Sequence, residues 1–275
     1  MPLFLEVEAP ATAEQNAVNL LASADQPSGG NTDWMSGFTW VSESCPAYQG
    51  FNPCAELTEA PPLGDSHLVH VVPVGYRTVS QCSTMSGRLD IERARRQAER
   101  IASYVTAREL WTGDLSKQDP YDLPNGGGTD QVNPHLAQVE VANQLPAAAD
   151  TMAAISALEA AVGDATLGGP VLIHGNPSLV GPVADRLERV GNELRTKTGG
   201  IVVPDSGYPG TGPDGTGDGW LYATGPVVVR LGPITSDTSP TTTTDRRINL
   251  RQVIAERMFG VAFDPCALFA VQVTG

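Results

Sequence analysis

The longest helical pattern in the chain covers residues 89–112. Apolar residues recur there at alternating spacings of three and four, Arg and Glu occupy most other positions, and no Gly or Pro interrupts the run. Its 24 residues would make a helix about 36 Å long, and Gly113 supplies an end. The pattern therefore predicts one long amphipathic helix around which shorter elements are arranged. The predicted apolar face consists of Leu89, Ile91, Ala94, Ala98, Ile101, Ala102, Val105 and Leu110.

The chain before this helix is mainly strand-like or irregular. A short helix is expected within residues 11–24, as part of an N-terminal arm. Two apolar runs, residues 34–41 and 67–76, flank a stretch rich in Pro and Gly, and this arrangement predicts a hairpin that projects from the body. Pro73 in the second run suits an edge strand, because Pro lacks the N–H that a central strand donates.

Helical and strand-like patterns alternate after the long helix. The run at residues 170–174 is apolar throughout, which is typical of a strand buried on both faces. Residues 114–135 are expected to form a surface loop. This order predicts an α+β protein with a mixed sheet covered by helices. The predicted elements are helices 147–162 and 182–194, strands 170–174, 201–203, 220–231 and 267–273, and a short segment 249–259 that fits either helix or strand.

Charge narrows the classes of function. The chain is globular in composition, with 41% apolar and 17% charged residues, and its net charge is −14. Nine Asp or Glu and no Lys or Arg lie within residues 1–76. Binding nucleic acid by neutralising phosphates needs clustered Lys and Arg, so that class is disfavoured. No leader and no apolar run of ~18 residues is found, and we expect a soluble protein made in the cytoplasm, with no membrane partner.

The four cysteines do not form a recognisable framework. Cys45, Cys54, Cys82 and Cys266 show no C-x-x-C spacing, and four in 275 residues are too few for a disulfide scaffold. We expect free thiols. The most plausible exception is a bridge between Cys45 and Cys54, which flank one loop.

Residues 205–219 carry the most suggestive motifs for chemistry. Residues 210–215 match G-x-G-x-x-G, but Pro213 lies inside the motif and a strand follows, whereas a dinucleotide site needs a helix that begins at the glycines. Asp214 and Asp218 offer oxygen ligands for calcium without a fixed register. Ser206 lacks the G-x-S-x-G elbow. A soluble hydrolase or calcium-dependent enzyme built on this loop is the alternative from a different class, and it would depend on Asp205, Ser206 and Asp214.

The histidines give little support to a catalytic or metal site. His67 and His70 lie three apart on a predicted strand and point to opposite faces, and His135 and His174 stand alone. All four are expected to be structural. We expect neither a cofactor nor a metal, and the lack of a catalytic constellation favours a structural protein over an enzyme.

Three segments resemble one known family. The long helix ends in ARELWTG, residues 168–187 read GGPVLIHGNPSLVGPVADRL, and the last segment reads RRINLRQVIAERMFGVAFDPCALFAVQV, with Glu256-Arg257 and Asp264-Pro265-Cys266 in it. Together with the element order, they resemble the Hong Kong 97-type capsid fold of tailed double-stranded DNA phages, which encapsulin shells share. The resemblance implies an N-terminal arm, a hairpin called the E-loop, a long spine helix, a peripheral domain and an axial domain with a central mixed sheet.

The resemblance also implies domain limits. These are an arm at residues 1–33, an E-loop region at 34–87, a spine helix and peripheral domain at 88–146, and an axial domain at 147–275 whose closing strand returns to the peripheral domain. Family members that crosslink themselves use a lysine on the E-loop. This region has none, so no isopeptide mesh is expected.

The implied function is that of a major capsid protein of a tailed phage from an actinobacterial host. Copies of the chain would form hexamers and pentamers of an icosahedral shell that encloses double-stranded DNA without sequence-specific binding. Other partners would be a portal and scaffolding or decoration proteins. The location would be the virion, assembled in the host cytoplasm. An encapsulin-like nanocompartment is the alternative within the same fold.

Contacts between copies are expected to involve apolar residues of the hairpin and paired charges. An acidic arm and hairpin could bind the arginines of a neighbouring spine helix. The candidate contact residues are Phe38, Trp40, Glu43, Tyr48, Phe51, Glu56, Arg88, Arg93, Arg96, Asp214 and Trp220.

Overall fold

The computed structural model describes most of the chain after residue 90 and shorter parts before it. The described residues are 18–27, 33–42, 45–46, 68–83, 91–118, 133–139, 143–237, 244–245 and 250–275. The helices are α1 Leu20–Ser23, α2 Ile91–Thr112, α3 Thr151–Ala165 and α4 Pro177–Val180. The strands are β1 Phe38–Val41, β2 Leu68–Val71, β3 Val74–Ser83, β4 Asn143–Gln144, β5 Leu172–Gly175, β6 Glu188–Val190, β7 Glu193–Arg195, β8 Ile201–Pro204, β9 Trp220–Thr224, β10 Val227–Asp237, β11 Thr244–Asp245, β12 Leu250–Phe263 and β13 Phe269–Gln272.

The predicted long helix is confirmed as α2, and a line of alanines marks its buried side. Ala94, Ala98 and Ala102 are at most 2% exposed, whereas Ile91 and Ile101 are half-buried at the edges of the same face. Small side chains let the helix backbone approach the sheet beneath it closely. Two hydroxyls of β3 consequently reach carbonyls of α2. Thr78 donates to the Ala94 carbonyl at 3.0 Å, and Tyr76 donates to the Ala98 carbonyl at 2.7 Å.

The sheet beneath α2 contains β3, β10, β11 and β12. Its centre is β12, which pairs antiparallel with β3 along one edge and with β10 and β11 along the other. Residues 249–259, which fit either helix or strand by pattern, thus belong mainly to a 14-residue strand. Val253 and Ala255 of this strand pack against the alanines of α2.

A second sheet of seven strands follows the order β4-β13-β9-β5-β8-β7-β6. It is mixed as predicted, because β4 with β13 and β5 with β8 are parallel pairs and the other pairs are antiparallel. All four residues of β5 are buried. Helix α3 begins at Asp150, whose carboxylate accepts from the Ala153 N–H at 2.9 Å, and it packs on this sheet through Ile155, Leu158 and Val162.

The predicted strand 220–231 is two strands, and the break joins the two sheets. β9 belongs to the seven-stranded sheet and β10 to the four-stranded sheet, with Gly225 and Pro226 between them. Since Pro226 has no N–H to donate, it interrupts the ladder where the chain changes sheet. The chain crosses back between β12 and β13, so both sheets share one body.

The predicted helix 182–194 is wrong. The chain instead forms the four-residue α4, a 3₁₀ turn at Gly181–Arg186, and the antiparallel hairpin β6–β7. Gly191 lies at the hairpin turn with φ +60, a backbone conformation that favours glycine. Val183 and Leu187 are buried whereas Val190 is 48% exposed, so the helix-like spacing came from residues of different elements.

The apolar run at residues 67–76 is also interrupted, at Val72 and Pro73. The Val72 N–H and carbonyl are bound by the side chain of Asn133, at 2.7 and 2.8 Å, instead of by a neighbouring strand. β2 pairs with β1 as a two-stranded ribbon, and β3 enters the four-stranded sheet. Upstream, the run at 34–41 contains a 3₁₀ turn, Asp33–Ser36, before β1. Of the helix expected within 11–24, Leu20–Ser23 is helical, and residues 11–17 lie outside the described part.

Two cysteines are bonded, which corrects the expectation of free thiols. Cys45 pairs with Cys266 across a sequence separation of 221, with their Cα atoms 6.2 Å apart. The suggested Cys45–Cys54 bridge is therefore wrong. The ribbon β1–β2 lies against the turn that follows β12, and no spacing in the sequence signals such a long-range contact.

Candidate functional site

The ribbon β1–β2 forms an aromatic surface on the end of the four-stranded sheet. Phe38 and Trp40 stack with ring centroids 5.9 Å apart, and the Trp34 ring meets Phe38 edge-on at 6.5 Å. The guanidinium carbon of Arg230 lies 5.5 Å from the centroid of the Phe38 ring. A Cβ at Gly260 would come within 2.8 Å of the Phe38 ring, so glycine is what lets this ring lie on β12.

Phe38 and Trp40, two candidate contact residues, are therefore partly covered by their own chain. Both are half-buried, against Val69, Val71 and Ala262. This small cluster gives the ribbon a local core of its own.

The apolar side chains that the ribbon leaves outside lie at its far end. Val41 and Leu68 are register partners, so they share a face of the ribbon, and they are 55% and 52% exposed. The chain leaves the ribbon there, towards residues 43–67. An exposed pair of aliphatic residues on a projecting ribbon is suited to burial against another molecule.

The outward face of α2 is rich in arginine. Arg93, Arg95, Arg96 and Arg100 are exposed, and the Arg95 guanidinium lies 3.6 Å from the Glu92 carboxylate, an exposed pair worth little by itself. The structure thus brings the predicted Arg93 and Arg96 to a solvent-facing helix surface. A neighbouring acidic segment could reach this surface.

A buried carboxylate that the sequence analysis missed ends α2. The two oxygens of Glu109 accept the N–H groups of Leu115 and Ser116, at 2.7 and 2.9 Å. Gly113 has φ +63, which permits the reversal. The signal available in the sequence was an acidic residue in the last helical turn, where the helix dipole would ordinarily disfavour it.

A groove of about 650 Å³ lies beside this turn. Arg108, Lys117 and His135 contribute basic groups to it, and the Lys117 ammonium donates to the Thr112 carbonyl at 2.7 Å. Burial lowers the pKa of His135, whose Nδ1 lies 3.1 Å from the Asn133 carbonyl oxygen. His135 packs so closely that a Cβ on Gly113 would meet its ring at 2.8 Å. The His135 ring therefore packs directly against the turn at Gly113.

The carboxylate of Asp205 anchors the loop 205–219 to other parts of the chain. One oxygen of Asp205 accepts the Leu20 N–H at 3.1 Å and the Ser103 hydroxyl at 2.7 Å, and the other accepts the Gly207 N–H at 2.9 Å. The carboxylate thereby joins the N-terminal segment, α2 and the loop. A Cβ on Gly207 would collide with the backbone of Tyr104, so the loop touches the helix directly.

The alternative of a hydrolase on this loop finds no matching geometry in its described residues. Ser206 is exposed, and the adjacent Asp205 is buried with both oxygens engaged in structural hydrogen bonds. Asp214 lies in a 3₁₀ turn, Pro213–Gly215. Trp220 is half-buried, packs over Gly212 and belongs to the aromatic core around Trp111.

His174 is structural, as expected. The Thr224 hydroxyl donates to the Gly225 carbonyl at 2.8 Å, so it accepts from His174 Nε2, while Nδ1 accepts from the Tyr208 hydroxyl, both at 2.9 Å. This arrangement fixes a neutral tautomer. Burial lowers the pKa of His174 to about 3 and raises the pKa of Tyr208.

The described residues contain neither a candidate metal site nor a candidate membrane span. Among them, no group of three or more His, Cys, Asp or Glu is placed to hold a metal ion. None of the described helices has the length and apolar character needed to cross a bilayer. Neighbouring protein groups form hydrogen bonds with His135, His174 and Asp205.

Comparison with known proteins identifies the fold. No protein-family model and no curated protein matches the sequence. The capsid of an empty GTA particle is similar, with a TM-score of 0.56 and 12% identity over 100% of this chain and 95% of that chain. A chain of Mycobacterium phage Ogopogo has a TM-score of 0.54 and 12% identity, covering 98% of this chain and 97% of its own.

A third similar structure is the mature capsid of bacteriophage PhiM1, with a TM-score of 0.50 and 14% identity, covering 100% of this chain and 92% of that chain. At such identities the likeness is one of fold. It extends over both sheets, α2 and the ribbon. The chain therefore has the α+β capsid fold of tailed phages, the Hong Kong 97 type predicted from the order of its elements.

Proposed function

We propose that this chain is a shell-forming protein, the major capsid protein of a tailed double-stranded DNA phage. The observation that carries the proposal is the match of the whole chain, end to end, to capsid subunits. A likeness restricted to one sheet would support only a common module. Here the match covers 100% of this chain, so it includes the ribbon, the long helix and both sheets.

The proposed domains are four consecutive regions of the chain. An arm at residues 1–33 and an E-loop region at 34–87 would precede a spine helix and peripheral domain at 88–146. The axial domain, residues 147–275, would contain the seven-stranded sheet. The pairing of β12 with β3 beneath α2 supports a closing segment that returns to the peripheral domain. The last strand, β13, pairs with β9 in the seven-stranded sheet.

Contacts between copies are proposed to combine apolar burial with charge. The ribbon presents Val41 and Leu68, and the exposed face of α2 presents Arg93 and Arg96. Residues 1–76 supply nine acidic groups and no basic one. An acidic arm and hairpin of one copy would thus bind the arginines of the next. Of the other candidate contact residues, Glu43, Tyr48, Phe51, Glu56 and Arg88 lie outside the described residues, and for Asp214 only the backbone is described.

The wider setting follows from this function. Pentamers and hexamers of the chain would enclose the genome in the virion without reading its sequence, after assembly in the host cytoplasm. A portal and scaffolding or decoration proteins would be the other partners, and the chain itself would carry out no reaction. Similar structures from a Mycobacterium phage and a Gordonia phage support an actinobacterial host.

Particle size tests the proposal directly. The chain is expressed alone and together with the genes that flank it, and the products are measured by light scattering and negative-stain microscopy. Closed hollow particles tens of nanometres across are expected, since a shell of many 28.9 kDa copies must reach that scale. Monomers or dimers under every expression and salt condition would refute a shell function. Copurified DNA or a copurified enzyme would separate a phage capsid from a nanocompartment.

The charge contact is tested by one reversal and a matched control. Arg96→Glu alters the exposed face of α2, and Lys197→Glu makes the same reversal on an exposed turn of the other sheet. Arg96→Glu should reduce the yield of particles several-fold while the melting temperature of the unassembled subunit stays the same. Lys197→Glu should assemble normally. Equal particle yields from the two variants would show that the arginines of α2 do not take part in the contact between copies.

A further inference from the structure

The disulfide joins parts of the chain that fold from opposite ends of the sequence. Cys45 follows β1, just before the residues that lead to β2, and Cys266 lies in the 3₁₀ turn Pro265–Ala267 after β12. Both residues are half-buried at the edge of the apolar cluster of the seven-stranded sheet. The bond therefore attaches the end of the ribbon that carries Val41 and Leu68 to the junction between the two sheets.

A non-covalent contact holds the same two segments together. The Ser42 hydroxyl donates to Asp264 Oδ2 at 2.5 Å, and both residues are at most 4% exposed. The other oxygen of Asp264 accepts the Cys266 N–H at 3.2 Å, which fixes the turn that carries the thiol. Ser42 and Asp264 thus form a second, non-covalent connection beside the two sulfur atoms.

We infer that Cys45 and Cys266 form a redox-controlled staple that closes after the chain has folded, by exchange with a small-molecule disulfide of the glutathione class. The thiolate of one cysteine attacks the small disulfide and releases one small thiolate, leaving a mixed disulfide. The second cysteine thiolate then attacks the protein sulfur of that mixed disulfide and releases the second small thiolate. One small disulfide is reduced to two thiols, and the protein dithiol is oxidised to the bond.

The environment of the pair supports this order of events. A reducing cytoplasm keeps thiols reduced during synthesis, so the Ser42–Asp264 contact would form first. The second exchange step is intramolecular, and that contact holds the second thiol close, which favours closure over a lasting mixed disulfide. Partial exposure of both cysteines gives the reagent access. Cys82 lies on β3 in register with Arg251, at the opposite end of β12 from residue 263.

The staple would hold the ribbon β1–β2 against the body of the subunit. β1 and β2 pair through four register positions, and a ribbon of two short strands is marginally stable by itself. A covalent bond next to the Val41 end of β1 limits the opening of β1 and β2 away from the four-stranded sheet. Residues 34–87 contain no lysine that could form an isopeptide crosslink. Cys45 of this region can instead form a covalent crosslink as a disulfide.

The experiment follows closure in the unmodified protein. The full chain is purified under reducing conditions, freed of reductant and treated with oxidised glutathione, in whatever assembly state it adopts. Intact mass should fall by about 2 Da, and peptide mapping should find Cys45 joined to Cys266. Amide hydrogen exchange in residues 38–41 and 68–71 should then slow by about tenfold, and a reductant should restore it.

Variants separate the staple from general effects of oxidation. Cys45→Ser/Cys266→Ser should exchange at the rate of the reduced protein with or without glutathione. Cys54→Ser/Cys82→Ser should keep the full response. Ser42→Ala should close about three- to tenfold more slowly, because its thiols are less well positioned.

Two results would overturn the inference. One is quantitative alkylation of both thiols after glutathione treatment of the folded wild-type chain. The other is closure without any change of exchange in the ribbon. Both readouts use wild-type protein, so poor folding of a variant leaves the test intact. They do not depend on shell formation and can fail while the proposed function holds.

Discussion

Single buried polar residues in this chain have structural roles that their sequence context does not reveal. Asp205, one of the residues on which the alternative enzyme would depend, accepts hydrogen bonds from the Leu20 N–H, the Ser103 hydroxyl and the Gly207 N–H. His174 is held between two hydroxyls inside the core. Both carboxylate oxygens of Asp205 and both ring nitrogens of His174 form hydrogen bonds. The contribution of each residue to stability can be tested by a substitution of similar shape.

Replacing Asp205 with Asn should destabilise the fold. The change turns one acceptor oxygen into a donor that faces N–H or O–H donors, so buried hydrogen bonds are lost at a cost of about 1–3 kcal/mol. Denaturant unfolding measures the loss. The neighbouring Ser206→Ala is the matched control and should change stability by less than about 0.5 kcal/mol, since Ser206 is exposed. If Asp205→Asn were equally neutral, the hydrogen bonds of the Asp205 carboxylate would not contribute to stability.

His174 should make the fold sensitive to mild acid. Its pKa is lowered to about 3 in the folded chain, against about 6.5 in the unfolded chain, because burial penalises the charged form. As the pH falls below 6.5, the unfolded chain binds a proton that the folded chain does not. The contribution to stability is therefore complete above pH 6.5 and is lost progressively between 6.5 and 3, by up to about 1.4 kcal/mol per pH unit.

The measurement is the free energy of unfolding between pH 7.5 and 4.5 for wild type and His174→Gln. The amide of Gln can donate to Thr224 and accept from Tyr208, as the neutral histidine does. The variant should show a shallower decline in stability below pH 6.5. His70→Gln, at an exposed position, serves as the control. Identical slopes for His174→Gln and wild type would contradict the assignment.

At the scale of elements, the sequence predicts what depends on local periodicity. Helix α2 and the buried strand β5 were predictable, because one face of a helix and a wholly apolar run leave regular patterns. The hairpin β6–β7 was not, because Val183, Leu187 and Val190 imitate a helical spacing although Gly191 turns the chain between strands. The Cys45–Cys266 bond was not predictable from the sequence, since it depends on how the sheets pack.

The alanine line of α2 leads to a prediction on helix packing. Ala98→Leu inserts a large side chain between α2 and β12, where Ala98 is 0% exposed, and overpacking should cost about 1–3 kcal/mol. Ile101→Asp should cost less than Ala98→Asp, because Ile101 is half-buried at the edge of the face. Thermal unfolding measures each change, with the exposed Glu99→Leu as control. A larger effect at Ile101 would mean that the helix face is rotated from the one described.

At the scale of the whole molecule, the charge distribution bears on how copies associate. The fold places exposed arginines on α2, while the first 76 residues carry nine acidic groups and no basic ones. Within one chain this separation contributes little, because exposed pairs such as Arg95 with Glu92 are screened by water. Between copies, an acidic hairpin on an arginine-rich helix would bury the charges partly and make the attraction stronger.

This arrangement predicts that assembled particles are sensitive to salt. At 1 M salt the Debye length is about 3 Å, against about 10 Å at 0.1 M, so contacts between exposed charges weaken. Particles should dissociate at a lower temperature or denaturant concentration in 1 M NaCl than in 0.1 M, as followed by light scattering. The unassembled subunit, whose stability comes mainly from its two sheets and α2, should change much less. Particles with the same stability at both salt concentrations would indicate that apolar contacts such as Val41 and Leu68 hold the copies together instead.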